Sequence, residues 1–208
     1  MKKYKNIIFD VGDVLLDYRW KEMLVDDYEL DEKTAEIVGN EMFDDPLWHE
    51  MDLWNMTEEE IICGFEKKYP EHGAYIRWFI THGEGMKVSR PKVWEKLRLL
   101  KKQGYGIYLL SNYPESLFVK HTKDADFMKD IDGAVVSYMI HKTKPDREIY
   151  EYLLNQYQLK AEESLFFDDR KENVEGAIAC GIDSRQVFSQ ESLLEDMDEI
   201  LNGGFKIE

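Results

Sequence analysis

Along the chain, short uninterrupted apolar runs alternate with longer stretches in which apolar residues recur every three or four positions. Asn6-Ile7-Ile8-Phe9, Tyr105-Gly106-Ile107-Tyr108-Leu109-Leu110, Gly133-Ala134-Val135-Val136-Ser137 and Ser164-Leu165-Phe166-Phe167 have the length and continuity of strands buried on both faces. The stretches between them read as helices. Pro91 suits a first helical position, Val93, Trp94, Leu97 and Leu100 follow at helical spacing, and Gly104 suits the stop. Residues 148–157 and 173–180 repeat the pattern, the latter closing on Gly181. Strands alternating with helices predict βαβ units, hence an α/β fold: a Rossmann-like, doubly wound parallel sheet with helices on both faces. Residues 17–87 break the rhythm. They contain no convincing strand but several amphipathic helical stretches, one opening on Thr57-Glu58-Glu59-Glu60, a capping-box pattern. This region reads as a helical insert between the first strand and the rest of the sheet.

Composition narrows the possibilities. With 208 residues, 43% of them hydrophobic, the chain can build a substantial core, and it has neither repeats nor low-complexity linkers. Its 43 acidic against 27 basic residues leave a formal charge of −16, which argues against nucleic acid and anionic membrane as partners. An anionic substrate would need a local cation. No apolar stretch approaches the roughly 18 residues of a membrane span, and MKKYKN lacks a long apolar run before Asp10, so a cytoplasmic protein is expected, as monomer or homodimer. Cys63 and Cys180 lie far apart, outside any Cys/His cluster, and read as reduced structural thiols.

The polar residues at the strand ends carry the candidate chemistry. Asp10 follows the first apolar run, Ser111-Asn112 the second, and Asp168-Asp169 the run at 164–167. Ligands of open α/β sheets bind at the carboxyl ends of the strands, so these groups should converge on one crevice. Any one of them reads more simply as a helix N-cap; three together resist that explanation. Lys144, in His141-Lys142-Thr143-Lys144-Pro145-Asp146, precedes a proline that restricts the backbone ahead of a helix, although a lone lysine is usually a solvated surface residue. Clustered carboxylates repel one another and take up protons unless a cation joins them, and magnesium is the natural oxygen-liganded ion. An ionised Asp can attack phosphorus to give an aspartyl phosphate that water later hydrolyses. No glycine-lysine P-loop is present, which argues against an ATPase of that type.

Taken in order, "FDVGDVLL", "LLSN", "KTKPDREIY" and "LFFDDRKENVEGAIACGI" resemble the four motifs of the haloacid dehalogenase superfamily of phosphohydrolases, over nearly the whole chain. The resemblance implies a catalytic core of residues 1–16 and 88–208 and a helical cap of the C1 type at 17–87. It implies Asp10 as nucleophile and magnesium ligand, Ser111 and Asn112 as phosphate-binding residues, and Lys144 as the catalytic cation that neutralises phosphate. Asp169, with Asp168, would hold the metal, and Gly12 would offer it a backbone carbonyl. The substrate would be a small phosphorylated metabolite.

One departure matters. Most phosphatases of this kind have a second Asp two residues after the nucleophile, acting as general acid and base; here that position is Gly12. Losing such help typically costs about 10²- to 10⁴-fold. Asp13, offset by one residue in a tight turn, is not a direct substitute. The deficit matters least for good leaving groups, and "FDVGDVLLDY" looks similar to bacterial α-D-glucose-1-phosphate phosphatases, so a sugar 1-phosphate is the expected substrate. Gly12 also suits a metal-independent 2-haloacid dehalogenase, but Asp168-Asp169 would repel a carboxylate substrate. Gly12, together with Asn173 where many relatives have Asp, also suits a non-catalytic phospho-ligand-binding protein. A phosphomutase fits less well, since it relies on the missing Asp. The aromatic residues of 17–87, among them Tyr18, Trp20, Phe43, Trp48, Trp54, Trp78 and Phe79, with His49 and Asp52 nearby, are expected mostly to pack the cap and its seam with the core, a few of them facing substrate.

Overall fold

A computed structural model describes residues 3–206. Its strands are β1 (Asn6–Phe9), β2 (Leu16–Tyr18), β3 (Lys87–Ser89), β4 (Gly106–Ser111), β5 (Gly133–Val136), β6 (Ser164–Asp168) and β7 (Asp183–Gln186). Five of them form the expected parallel sheet, in the order β5-β4-β1-β6-β7. Period-two alternation divides the central strands between two cores. Ile8, Leu110 and Phe166 face one layer, containing Ile149, Tyr150 and Ala177, while Ile7, Phe9, Ile107, Leu109 and Phe167 face the other, containing Val93, Leu97 and Leu193. β7, read as Asp-Ser-Arg-Gln, escapes recognition in the sequence because it is a polar edge strand with little apolar surface to bury.

Between β2 and β3 lie α1 (Trp20–Glu22), α2 (Glu32–Phe43), α3 (Pro46–Leu53), α4 (Glu58–Lys68) and α5 (Gly73–Thr81). A five-residue π-helical turn, Met23–Asp27, follows α1. Three of these helices start on side chains predisposed to cap them. Asp31, Asp45 and Thr57 accept from the backbone N–H of Thr34, Leu47 and Glu60, and Glu60 returns the bond to Thr57 as its spacing predicts. The expectation of no strand in this region needs correction at its ends, where β2 and β3 pair antiparallel, Asp17 opposite Val88. Three residues are too few for a period to show. The expected boundaries, 16/17 and 87/88, fall inside this ribbon. Apolar packing also crosses it: Met23, Val38, Met42, Phe65 and Phe79 join the same buried cluster as Phe9, Leu109 and Phe167.

The rest of the chain supplies α6 (Pro91–Lys102), α7 (Glu115–Thr122), α8 (Ser137–Ile140), α9 (Arg147–Gln156), α10 (Lys171–Ala179) and α11 (Gln190–Asn202). Cys63 and Cys180 are unpaired thiols. No helix among the described residues is long and apolar enough to cross a membrane.

Candidate active site

The register of the sheet assembles the site. Phe9 stands opposite Phe167 and Leu109, so Asp10, one residue past β1, emerges beside the end of β6 and the end of β4. The Asp10 N–H donates to Phe167 O at 2.9 Å, continuing the ladder for one further step. Asp10, Gly12, Asn112, Lys144 and Asp169 then line one cavity of about 330 Å³, and Ser111 lies buried beneath it.

Lys144 is the centre of the charge arrangement. Its Nζ lies 2.9 Å from Asp10 Oδ1 and 2.6 Å from Asp168 Oδ2, with all three side chains almost wholly removed from water. It also lies 5.4 Å above the Phe166 ring. The Asn112 side chain fixes this lysine through its main chain: the Lys144 N–H donates to Asn112 Oδ1 at 2.8 Å, and Asn112 Nδ2 donates to Lys144 O at 2.9 Å. Ser137 Oγ accepts from the Tyr113 N–H at 2.9 Å, tying the loop after β4 to the end of β5. The Lys144–Pro145 peptide bond is cis. Position 176 in α10 must be small, because a Cβ there would approach Pro145 O to 2.7 Å. Burial alone would lower the lysine's pKa, but the charges of Asp10 and Asp168 outweigh it and raise the value.

The two consecutive acids differ. Asp168 is fully buried and satisfied, accepting from Lys144, from the Arg170 N–H at 2.9 Å and from Asn173 Nδ2 at 2.9 and 3.2 Å. An Asp at 173 would set a like charge against it, so Asn173 is here a residue that holds Asp168. The sequence flagged that position only as a departure from its relatives. Asp169 instead faces the cavity, its backbone carbonyl accepting from Gln186 Nε2 at 2.9 Å. Enclosure, reinforced by the charges of Asp10 and Asp168, pushes its carboxyl up to about 7. Asp10 is raised too, by burial first, Lys144 opposing.

Two buried polar atoms in the floor meet no well-formed hydrogen bond among the described residues: Asp10 Oδ1, whose neighbour is the Lys144 ammonium at 2.9 Å, and Ser111 Oγ. Buried polar atoms are nearly always paired, so these two mark where a bound group belongs. One lysine does not balance three carboxylates, and one oxygen from each of Asp10, Asp168 and Asp169 lies within 4.8 Å of the others. The donor set, all oxygen and anionic, fits a hard divalent cation such as magnesium. With Lys144 beside it, such a site can accept an oxyanion next to a carboxylate nucleophile.

Gly12 lines the cavity as expected, and the structure gives its reason. A Cβ there would lie 2.7 Å from Tyr18 Oη and 2.8 Å from the Tyr18 ring. The obstacle to a side chain is Tyr18 rather than a glycine-only backbone. Asp13 does adopt the left-handed region, at φ 50°, and is an exposed rim residue. The opposite wall comes from the helical insert and its ribbon: Tyr18, Trp20, Phe43, Trp48, Asp52 and Met86. Trp78 stacks on His82, with ring centroids 4.8 Å apart, and is not part of the lining.

A family model described as a haloacid dehalogenase-like hydrolase matches residues 4–181. Over 180 residues the chain is 27% identical to a sesquiterpene phosphatase of Aspergillus oryzae, an alignment that spans 86% of this chain and 87% of that protein. Over 212 residues it is 23% identical to a D-ribitol-5-phosphate phosphatase of Bacteroides thetaiotaomicron, spanning 95% of this chain and 98% of the relative. A HAD family enzyme of Bacteroides thetaiotaomicron, solved in complex with magnesium and inorganic phosphate, shares the fold with a TM-score of 0.71 at 20% identity, over 90% of this chain and 96% of that one. These likenesses agree with the α/β fold and the phosphoric monoester hydrolase expected from the motifs.

Proposed function

Because the chain belongs to the haloacid dehalogenase-like hydrolase family, we propose that it is a magnesium-dependent phosphatase that hydrolyses a small phosphorylated metabolite through an aspartyl phosphate on Asp10. The observation that carries this reading is the buried Lys144 ammonium, 2.9 Å from Asp10 and 2.6 Å from Asp168, in a floor where Asp10 Oδ1 and Ser111 Oγ make no hydrogen bond among the described residues. Asp10, Asp169 and the Gly12 carbonyl would hold the metal, with Asp168 kept in place by Lys144 and Asn173. The metal, when bound, supplies positive charge that offsets the phosphoryl oxygens and keeps Asp10 ionised.

Asp10 attacks phosphorus with one carboxylate oxygen. Ser111 Oγ donates to a phosphoryl oxygen, and Lys144 Nζ, already oriented by Asp10 and Asp168, neutralises the charge that builds there. The clamp between Asn112 and the Lys144 main chain fixes that ammonium before substrate arrives, so little reorganisation is needed at the moment of reaction. The helices between β2 and β3 act as a cap that covers the crevice and excludes water. The acidic exterior makes this local cation the means by which an anion is held at all.

For the alcohol half, a sugar 1-phosphate is our first reading. Its ring offers an apolar face to Tyr18, Trp20 and Trp48. A second reading, an apolar phosphate monoester, is favoured by Phe43, Met86 and Leu117 in the lining of the same cavity and by the relative named as a sesquiterpene phosphatase. A panel of sugar 1-phosphates, sugar 6-phosphates and prenyl monophosphates, assayed with magnesium and with excess EDTA, tests both. Phosphate release from one class, abolished by EDTA and restored by magnesium, supports the proposal; undiminished release in EDTA would refute the metal requirement, and dehalogenation of 2-chloropropionate would replace the activity.

A further inference from the structure

The proposed chemistry needs a proton for the departing alcohol, and position 12 cannot supply it. Tyr18 fills that space but points its own proton elsewhere. His121 Nε2 lies 2.7 Å from Gly83 O, so it carries the hydrogen and Nδ1 is the acceptor. Tyr113 therefore donates to His121 Nδ1 at 2.5 Å, and Tyr18 donates to Tyr113 at 2.8 Å. This chain commits the Tyr18 proton to Tyr113 and ends on His121 outside the lining, and burial, with neighbouring negative charge, raises the pKa of Tyr18 well above that of a free phenol. Tyr18 is a wall, held rigid by its hydroxyl.

Across the cavity stands Asp52, in the last turn of α3. It lines the same space as Asp10, Lys144 and Asp169. Its carboxyl has no hydrogen-bond or ion-pair partner among the described residues, whereas its backbone is firmly placed. Ser137 Oγ donates to Asp52 O at 2.6 Å, and His141 Nδ1 bonds to Leu53 O at 2.8 Å. The end of α3 is thus pinned to the segment that leads from β5 to Lys144.

We propose that Asp52 is the general acid and base of the reaction, reaching down from the helical insert in place of the side chain that Gly12 lacks. This rests on the aspartyl-phosphate reading above. In the first step the Asp10 oxygen bonds to phosphorus, the bond from phosphorus to the ester oxygen breaks, and the Asp52 carboxylic proton passes to that oxygen to release the alcohol. In the second, Asp52, now a carboxylate, takes a proton from water as the water oxygen bonds to phosphorus. The bond to Asp10 breaks, which frees phosphate and returns Asp10 as carboxylate and Asp52 as acid. Enclosure, with the charge of Asp10, and against Lys144 and Arg170, pushes Asp52 up to about 7, near the value that suits both duties at neutral pH. The restriction to good leaving groups expected from Gly12 alone is thereby lifted.

The test is a series of aryl and alkyl phosphates assayed with magnesium on wild type, Asp52→Asn and Asp13→Asn. Wild type should show kcat/KM nearly independent of leaving-group pKa. Asp52→Asn should lower kcat/KM for alkyl phosphates by about 10²- to 10⁴-fold while p-nitrophenyl phosphate changes by less than about tenfold. Its kcat should fall even for p-nitrophenyl phosphate, with a burst of p-nitrophenol and one phosphoryl group retained on the protein by intact mass. A uniform loss across the series, or a steep dependence appearing in Asp13→Asn instead, would overturn the assignment. Should wild type hydrolyse none of the series, or Asp10→Asn keep full activity, the aspartyl-phosphate reading itself fails; if only Asp52→Asn departs from expectation, that reading stands and Asp52 loses its role.

Discussion

The floor and the roof of the cavity are built on opposite terms. The floor has Asp10, Asn112 and Asp168 at the ends of buried strands, Lys144 in the loop before α9 and Asn173 in α10, its charged groups paired at 2.6–2.9 Å and its amides committed to holding them. The roof, Trp20, Phe43, Trp48 and Asp52, comes from helices set by caps and apolar packing, and its one carboxylate is unpaired. A preorganised floor suits steps whose charge distribution is the same for every phosphate ester. A roof of aromatic surface suits the part of the substrate that varies. The two are nonetheless mechanically joined, because α3 is tied to the backbone near Lys144 and the insert shares one apolar cluster with the sheet.

The sharpest way to break the comparison is Asp10→Asn. It should reduce turnover of every substrate by about 10³-fold or more, with far-UV circular dichroism and melting temperature retained, because every leaving group departs in the step in which Asp10 attacks. Substrate-dependent loss would move Asp10 from chemistry to selection. Lys144→Ala comes next: removing one partner strands Asp10 and Asp168 as buried charges, a loss of about 3–5 kcal/mol of folding stability. It should also cost about 3 kcal/mol of transition-state stabilisation in kcat/KM. Urea denaturation and steady-state kinetics read the two separately, and near-wild-type values of both would show that the floor is not preorganised by charge.

Metal and pH sharpen it further. Asp52 and Asp169 have folded values of about 7 against an ordinary 3.8, so the stability they confer is complete below about pH 4 and is lost as pH rises through 7. Burial lowers His121, which acts in the opposite sense below its ordinary 6.5, but one imidazole opposes these two carboxyls and that of Asp10, which is also raised. In EDTA, the melting temperature should fall between pH 5 and 7; millimolar magnesium, binding the ionised floor of the folded state, should reduce that fall. Parallel curves with and without magnesium would count against the metal site. The smallest effect belongs to the roof alone. Trp48→Ala should raise KM for the preferred substrate by about fivefold, in line with about 1 kcal/mol for an aromatic contact, while kcat for p-nitrophenyl phosphate holds. An equal loss of kcat on both substrates would make the roof part of the chemistry.

Much of this was legible in the residues themselves. Asn6–Phe9 and 164–167 are continuous apolar runs because strands covered on both faces must be apolar throughout, so the sheet and the acids at its carboxyl ends follow from local pattern and chain connectivity. Asp10 and Asp169 stood out because a charge beside such a run is costly unless it has a purpose, whereas Lys144 was marked only by the proline after it and by its motif. The Thr57 capping box was equally plain, its partners being three residues apart.

What the tertiary structure decided was everything that depends on contacts distant in sequence. β7 and the ribbon of β2 and β3 are too polar or too short to carry a period and exist because a neighbouring edge offers hydrogen bonds. The division of labour between Asp168 and Asp169, adjacent and chemically identical, follows from which of them points at Lys144 and Asn173. Gly12 looked like a missing acid, and only the packing of Tyr18 over it shows that the space is filled. Asp52 was one more acid in an acidic chain, 42 residues from Asp10, until the fold of α3 turned it to face the nucleophile across a cavity that neither segment forms alone.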